Sequence, residues 1–467
     1  MRRSHARLAL PQGRRLAGAI LCALAAAACS TAPGPVERRS PNIVLITIDT
    51  LRRDHLSCYG YARKTTPFLD RLAADAVRFD KAYSTSSWTL PAVVSILTGL
   101  DPSAHGMKDG DTDEAGVVVG QPVLGEDLVL LPELLRDRGY QTFGLTANEH
   151  LQGNLGFERG FDAYRCLGFK PARALSAPLA EIRARIDPRR PYFLWVHYFD
   201  PHTPYDARRP ELRAYLGPKE VSEELLGRVQ SLTTAAQLEA WDRQGDRDFL
   251  PYAQAAYDSC IRLADRAVAT LFEALEIGKE DLVLVTADHG EEFREHGRFG
   301  HGHALFEELL QVPLLVRLPG GRHAGETVSS RVSLMDLFPT ILEIAGIAPR
   351  SNIQGKSLLP LIQDKGAARD RVIHASTVTD VEVDSVTIDR WKYIESQGRP
   401  EAAMLFDLES TEGEQRNVIA DYPNEAEVLR RALAHLRQNS RRRAPSLQNV
   451  PLSPERLEAL RSLGYVR

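Results

Sequence analysis

The chain has 467 residues, of which 43% are hydrophobic and 26% charged, so it can bury one large core or two unequal ones. Its 58 basic and 62 acidic residues leave a formal net charge of -4, which excludes the strongly basic character of a protein that holds nucleic acid by charge. We therefore predict no nucleic-acid partner, and an anionic ligand has to be bound by a local cluster of residues.

The N-terminus has the pattern of an export signal. Arginines precede an apolar run over 16–28, which is shorter than the roughly 20 residues that cross a bilayer. The run ends in "AAAACS", which resembles a bacterial lipobox, so we predict a lipoprotein signal peptide over 1–28, acylation of Cys29 and a flexible tether over 29–40. Ser30, in place of an aspartate, predicts the periplasmic face of the outer membrane of a Gram-negative bacterium. The alternative is an ordinary secretory signal cut just before the cysteine.

Three cysteines lie beyond the predicted signal and tether, at Cys58, Cys166 and Cys260. An odd number at wide spacing predicts neither a disulfide framework nor a zinc cluster. We expect buried thiols.

Four apolar, β-rich runs end in polar residues that are able to do chemistry. "NIVLITID" ends at Asp49, "YQTFGLTAN" at Asn148, "PYFLWVHYFDPH" at Asp200 and His202, and "DLVLVTADHG" at Asp288 and His289. Nearly continuous apolar strands are typical of a parallel sheet that helices cover on both faces. Because ligands bind at the carboxyl ends of such strands, we expect these side chains to form one cluster.

Helical patterns alternate with these strands, as in "TTPFLDRLAADAV", "LPELLRDRG" and "AAYDSCIRLADRAVATLFEALEIG". The alternation predicts an α/β fold, with a mostly parallel sheet flanked by helices, over 41–370. A charged, helix-prone stretch over 208–250 is predicted to be an insertion above the site. Short alternating runs followed by "NEAEVLRRALAHLRQNSRRR" predict a small antiparallel sheet with a packed helix over 371–440, and a tail with one more helical segment follows over 441–467.

Asp49 and the pair Asp288 and His289 combine carboxylates with an imidazole. This mixture predicts a divalent ion such as zinc or manganese in preference to calcium, which prefers sites made of oxygen ligands and is kept as an alternative.

With these residues assembled, the chain from about 41 to about 417 resembles the sulfatase family of the alkaline phosphatase superfamily. The resemblance rests on "PNIVLITIDTLRRDHLSCYGY", "TLPAVVSILTGLDPSAHG", "TADHGEEFREHGRFGHGHALFEELLQVPLLVRLPG", and "RWKYI" with "LFDLESTEGEQRNV". It implies an alkaline-phosphatase-like fold and a divalent metal in a cleft at the sheet edge. It also implies a nucleophile at a helix start, which attacks phosphorus or sulfur and forms a covalent intermediate.

The chain departs from the sulfatase signature at four positions. Thr89 stands where the family has the cysteine or serine that is oxidised to formylglycine, and Val93 stands where it has an arginine. Thr50 replaces the second metal aspartate, and Asn148 replaces a lysine if His150 aligns with the family's histidine. Threonine cannot be oxidised to the aldehyde, but it is the nucleophile in other branches of the superfamily, including nucleotide phosphodiesterases and phosphoethanolamine transferases.

Thr89 is therefore predicted to be the nucleophile. Pro91 fits the first turn of a helix over "PAVVSILTGL", which places Thr89 at a helix N-terminus where free N–H groups favour an anion. A metal that stabilises the alkoxide makes the weak hydroxyl reactive. Asn148 and the helix start are predicted to hold the non-bridging oxygens of the ester. The alternative is that Thr89 only caps the helix.

The resemblance also assigns roles to two histidines. His301 falls where phosphoryl-transfer relatives carry another metal-binding or phosphate-binding histidine, and His202 matches a histidine that contacts substrate or a second metal, with Asp200 near enough to join it. Both are predicted to neutralise charge or to protonate the leaving group. His296 and His303 are alternatives to His301, and for each histidine a purely structural hydrogen-bonded role stays open.

These features predict an exported, membrane-tethered, metal-dependent hydrolase of this family that cleaves phosphate mono- or diesters through Thr89. The substrate is expected to be an anionic ester of a glycan, lipid or nucleotide. Three alternatives remain: a sulfate ester hydrolase without formylglycine, a transferase of phosphoryl-linked groups to envelope glycans or lipids, and a non-catalytic glycan-binding lipoprotein. The retained residues Asp49, Asp288 and His289 argue against the last.

Overall fold

The computed structural model describes residues 40–108, 120–206, 209–216, 249–348, 351–364, 371–379, 381–441 and 448–451, with single residues and short pieces of 224–243 and 453–458. The predicted signal peptide and tether, most of the predicted insertion and most of the tail lie outside the described residues. Among the helices of the described part, none is long and apolar enough to cross a membrane.

A mixed sheet of eight strands, with helices packed against it, forms the main body of the fold. Its order is β11-β2-β10-β7-β1-β6-β4-β5, and every strand except β10 runs in the same direction. The strands from β1 to β11 are Ile43–Ile48, Val77–Tyr83, Gly120–Val123, Gln141–Thr146, Ala163–Cys166, Tyr192–Tyr198, Leu282–Ala287, Glu292–Phe293, Phe299–Gly300, Gln311–Arg317 and Thr327–Ser333. The mostly parallel α/β sheet that the sequence predicts is confirmed.

Every residue of the three central strands β1, β6 and β7 is buried, because helices cover both faces of the sheet. The helices from α1 to α11 are Pro67–Ala74, Thr89–Thr98, Pro102–His105, Leu131–Asp137, Ser176–Arg185, Arg209–Leu216, Phe249–Leu275, Glu307–Leu310, Leu337–Ile344, Leu359–Gln363 and Pro423–Arg441. Short 3-10 helices lie at Arg53–His55, Ser57–Tyr59, Glu149–Leu151, Gly153–Leu155, Ala172–Leu175, Pro319–Gly321, Leu334–Asp336 and Gly413–Gln415.

The sequence patterns predict four of the eight strands of this sheet, β1, β4, β6 and β7, and do not predict β2, β5, β10 and β11. Of the latter, "VRFDKAY" forms β2 and "QVPLLVR" forms β10. Polar residues interrupt β2, and it therefore lacks the continuous apolar pattern by which the central strands are identified. Its place in the sheet comes from antiparallel pairing with β10, which a local pattern does not contain.

The predicted C-terminal antiparallel sheet is confirmed. Its strands β12 to β15 are Ile373–Val378, Glu382–Ile388, Trp391–Ser396 and Arg399–Asp407, paired in that order. Helix α11 packs on this sheet through a cluster that includes Val386, Leu405 and Leu433. A further strand, β16 (Gln448–Pro451), leaves this subdomain and pairs with β3.

Cys58, Cys166 and Cys260 are free thiols; Cys260 is buried, as expected, whereas Cys58 and Cys166 are half-buried. Cys260 is fully buried, and burial raises the pKa of Cys58 to about 12, so neither thiol is reactive at neutral pH.

Candidate active site

Asp49 and Asp288 lie side by side at the carboxyl ends of the paired strands β1 and β7, and both are fully buried. Thr50, which follows the first aspartate, has a φ of 54°, a left-handed conformation that is strained for a β-branched residue. The hydroxyl of Tyr257 holds it there by donating to the Thr50 carbonyl at 2.5 Å. Such local strain supports a functional reason for the precise placement of Asp49.

The structure adds His197, which the sequence patterns did not single out. It lies within β6, opposite Thr47 of β1, and its Nδ1 is 2.8 Å from the Thr47 hydroxyl. Its Nε2 is 3.5 Å from Asp49 Oδ2. Three candidate ligand atoms lie within 4.8 Å of one another, one each from Asp49, His197 and Asp288. A histidine inside an otherwise apolar, buried strand is the one signal that pointed to this residue.

The candidate ligand atoms of this cluster fit a divalent cation. Asp49 Oδ1, Asp288 Oδ2 and His197 Nε2 are buried and have no hydrogen-bond partner among the described residues. Burial and the charge of Asp49 raise the pKa of Asp288. Burial opposes ionisation of Asp49 as well, but the nearby His197, His202 and His289 lower its pKa. Two buried carboxylates within 4.8 Å of each other are expensive unless a positive charge lies between them, so the cluster suits the zinc or manganese site predicted from sequence.

Thr89 begins helix α2, as predicted, after Trp88 in an extended conformation. Its side chain is buried, and its Oγ1 lies 3.4 Å from His289 Nε2. Asn148 Nδ2 reaches both Thr89 Oγ1, at 3.3 Å, and Asp49 Oδ2, at 2.7 Å. The predicted nucleophile, the predicted amide and the first metal aspartate are therefore in one contiguous group.

His289 presents a lone pair to this group. Its Nδ1 lies 3.0 Å from the Gly290 carbonyl, to which it can only donate, so Nε2 carries no proton in the neutral ring. That Nε2 lies 3.5 Å from both Asp49 Oδ1 and Asp288 Oδ2. Burial lowers the pKa of His289, but the charges of Asp288 and Asp49 outweigh this effect and raise it. A role for His289 as a metal ligand stays a prediction.

His202 and His301 complete the cluster. The His301 ring lies 4.8 Å from that of His202 and 4.5 Å from that of His289, centroid to centroid. His301 Nδ1 is 3.2 Å from Glu291 Oε1, a buried carboxyl whose pKa burial raises to about 7. His301 therefore faces the site, while its role as a metal ligand stays a prediction.

The other two candidates face different carboxylates. His303 Nε2 lies 2.7 Å from Glu292 Oε2, and His296 stacks on Phe306 with its Nε2 3.7 Å from Glu308 Oε1. Of the three histidines in this loop, His301 is the one whose ring lies against His289.

Burial lowers the pKa of His202 to about 4 and that of His301 well below its usual value. Both rings are therefore neutral near pH 7, and each contacts other groups through hydrogen bonds and not through charge. The predicted neutralisation of substrate charge requires that these rings take up a proton when the substrate binds.

Comparisons with known proteins identify the family of the chain. The sulfatase family model matches residues 41–347, and the model described as N-sulphoglucosamine sulphohydrolase, C-terminal, matches residues 294–442. The chain is 25% identical over 429 residues to N-acetylglucosamine-6-O-sulfatase of Bacteroides thetaiotaomicron, covering 74% of this chain and 75% of that protein. It is 30% identical over 381 residues to arylsulfatase A of Homo sapiens, covering 72% of this chain and 70% of that protein.

The fold also matches a solved structure with a different activity. The crystal structure of the phosphonate monoester hydrolase of Agrobacterium radiobacter superposes with a TM-score of 0.68 at 20% identity, covering 89% of this chain and 100% of that one. At this identity the match shows the alkaline-phosphatase-like fold alone. The family models and the two curated relatives go further, and they show that the chain belongs to the sulfatase family of hydrolases.

Proposed function

We propose that the chain hydrolyses sulfate esters on an anionic glycan, with Thr89 as the nucleophile. The observation that carries the proposal is the placement of Thr89 Oγ1 at a buried helix start, 3.4 Å from His289 Nε2 and 3.3 Å from Asn148 Nδ2. The names of the relatives, N-acetylglucosamine-6-O-sulfatase and arylsulfatase A, support sulfate as the group and an amino sugar as one substrate class. They favour sulfate esters, an alternative from the sequence, over phosphate esters, the first expectation.

The residues of the chain have distinct tasks in this reaction. Thr89 Oγ1 forms a bond to sulfur as its proton passes to His289 Nε2, whose lone pair lies 3.4 Å away. The bond between sulfur and the sugar oxygen breaks, and the sugar oxygen takes up that proton. Water then bonds to sulfur, the bond between sulfur and Oγ1 breaks, one proton of the water returns to Oγ1, and sulfate leaves with the other.

Asn148 connects the nucleophile to the metal carboxylates. Its amide reaches Asp49 Oδ2 and Thr89 Oγ1 together, so it fixes the hydroxyl relative to the cluster of Asp49, Asp288 and His197. These three residues would hold the divalent cation, which supplies positive charge for the developing oxyanions when it is bound. His202 Nδ1 donates to the Thr203 carbonyl and His301 Nδ1 faces Glu291, so these rings donate to the ester oxygens through Nε2 only when they take up a proton.

A substrate panel tests the proposal. Metal-loaded protein should cleave 4-nitrophenyl sulfate and N-acetylglucosamine 6-sulfate, releasing inorganic sulfate that ion chromatography detects. Asp288→Asn is the matched control, because it keeps the side-chain volume but removes a metal carboxylate. Cleavage of neither sulfate ester by metal-replete wild type would contradict the proposal.

Phosphate and phosphonate ester hydrolysis is a second candidate, which the identity of Thr89 favours. A formylglycine hydrate expels sulfate by breaking a carbon–oxygen bond, but a threonine ester must be opened by water at the central atom itself. Phosphoryl oxygens carry more negative charge than sulfuryl oxygens, so a cationic site stabilises this second attack better at phosphorus. A kcat/KM for 4-nitrophenyl phosphate or phenylphosphonate esters above that for the matched sulfate would make this the main activity.

We also propose that the enzyme acts at a membrane surface. The segment "AAAACS" supports acylation of Cys29, and the predicted tether over 29–40 would let the catalytic domain reach substrates in the envelope.

A further inference from the structure

The C-terminal tail contacts the interior of the catalytic domain close to the active site. Strand β16 pairs with β3, which places Val450 opposite Gln121. Further along the tail, Arg456 Nη2 donates to Gln121 Oε1 and, at 2.7 Å, to the Glu149 carbonyl. Arg456 and Gln121, which this hydrogen bond connects, are 335 positions apart in the sequence.

Gln121, in turn, contacts His150. The glutamine Nε2 lies 2.8 Å from His150 Nδ1, and both side chains are buried. A guanidinium has only donors, so the carbonyl oxygen of Gln121 has to face Arg456. The amide NH2 then faces His150, and because it too can only donate, His150 Nδ1 must be the acceptor. In the neutral ring the proton is therefore on Nε2.

His150 belongs to the active-site cluster. Its backbone N–H donates to Asn148 Oδ1 at 2.9 Å, and its ring meets the edge of Trp88, the residue before Thr89, at a centroid distance of 5.3 Å. Burial and the charge of Arg456 lower the pKa of His150 to about 3, so the ring is neutral. The charge of Asp49 acts in the opposite direction and raises the pKa of His150. Since Nδ1 faces the tail, the Nε2–H lies on the opposite edge of the ring.

We propose that Arg456 is a positioning residue of the active site: through Gln121 it holds His150 in the Nε2–H tautomer, so that His150 donates a hydrogen bond to a non-bridging oxygen of the bound ester. The role in substrate binding rests on the proposed ester hydrolysis, whereas the tautomer does not. The C-terminal tail then positions an active-site group, because it supplies the donor that orients Gln121 and so decides which nitrogen of His150 carries the proton.

An isosteric substitution tests the relay. In Gln121→Glu the side chain has only acceptors, so His150 Nδ1 must carry a proton in order to bond to it. Full-length protein labelled with 15N-histidine reports the tautomer through long-range 1H–15N correlations, with the His150 signals assigned by their loss in His150→Gln. We expect Nε2–H in the wild type and a protonated Nδ1 in Gln121→Glu.

Variants of Arg456 test the origin of the effect. Arg456→Met should give a mixture of tautomers and lower kcat/KM by roughly 10- to 100-fold, as changes to the residues that orient a site histidine do. Arg456→Lys, which still only donates, should restore the Nε2–H tautomer and part of the rate. Arg430→Met, on the exposed side of α11, is the matched control for the substitution itself and should change neither the tautomer nor the rate.

The tautomer and the rate test separate parts of the proposal. A wild-type His150 protonated on Nδ1, or an unchanged tautomer in both Gln121→Glu and Arg456→Met, overturns the relay whatever the substrate is. A changed tautomer with unchanged kcat/KM overturns the hydrogen bond to the ester. If wild type cleaves no ester, the proposed function fails while the spectra still decide the relay. If Arg456→Met does not fold, Gln121→Glu decides it alone.

Discussion

Replacing Thr89 by alanine should abolish turnover and leave the fold intact. The side chain is 1% exposed, and its hydroxyl makes two long contacts, at 3.3 and 3.4 Å. Contacts of this kind contribute about 1 kcal/mol or less each, and the lost methyl contributes about 1 kcal/mol more. The free energy of unfolding should therefore fall by no more than about 2 to 3 kcal/mol, which lowers Tm by several degrees at most.

The expected loss of catalysis is much larger. Removing the nucleophile from a hydrolase costs about 10⁶ in kcat, which corresponds to about 8 kcal/mol of transition-state stabilisation. No structural role of this buried threonine accounts for a loss of that size. The rate and the stability thus separate a nucleophile from a helix cap.

The assay compares wild type, Thr89→Ala and Thr89→Ser on the preferred ester, with thermal unfolding and metal content measured on the same samples. Serine restores the hydroxyl, so Thr89→Ser should keep activity within about tenfold of wild type. Mass spectrometry of the Thr89 peptide after rapid quench should show an added sulfuryl or phosphoryl group. Full activity in Thr89→Ala, or a loss of less than about tenfold, would refute the nucleophile assignment.

Four further outcomes are expected. Asp288→Asn and Asp49→Asn should lose the bound divalent ion, measured by mass spectrometry, with unchanged circular dichroism; full occupancy in both would refute the site. His197→Gln should weaken metal binding at least tenfold, because changes to a metal ligand or to the groups that orient it have this effect, and a chelator titration giving the wild-type affinity would remove it from the ligand set. His374 lies in β12 and contacts Asp101, and His374→Gln should destabilise the fold. Burial opposes the charge of His374, but Asp101 raises its pKa to about 10. The stabilisation by the charged ring is therefore complete below about pH 6.5 and is lost as pH rises through about 10. If the difference in the free energy of unfolding between wild type and variant does not change with pH over this range, that account is contradicted. Cys29→Ala should move the protein from the membrane fraction to the soluble fraction, and an unchanged distribution would contradict the anchor.

Much of the candidate site was accessible from the sequence because of the fold class it indicates. In a parallel sheet, the polar residues that end apolar strands meet at one edge, so Asp49, Asn148 and Asp288 were expected together and are found together. Thr89 was placed at a helix start from the proline two positions later, and α2 begins there. These inferences depend only on local periodicity and on a general rule for strand ends.

His197 shows where such inference stops. It lies inside an apolar strand, where sequence patterns indicate a core position, and only the register that sets it opposite Thr47 turns its ring toward Asp49. The same limit applies to β2 and β10, whose pairing joins segments more than two hundred residues apart. Registers of this kind depend on packing between distant segments, which periodicity does not encode.

The sequence by itself determined the α/β architecture, the family and the residue types at the strand ends, since each of these depends on short stretches of chain. The tertiary structure decided which loop histidine faces the site: His301 lies against His289, while His296 and His303 contact other carboxylates. It also decided that Arg456 reaches Gln121. The physical reason is that the direction of a side chain in a loop or a tail depends on long-range contacts, and these form only when the whole chain has folded.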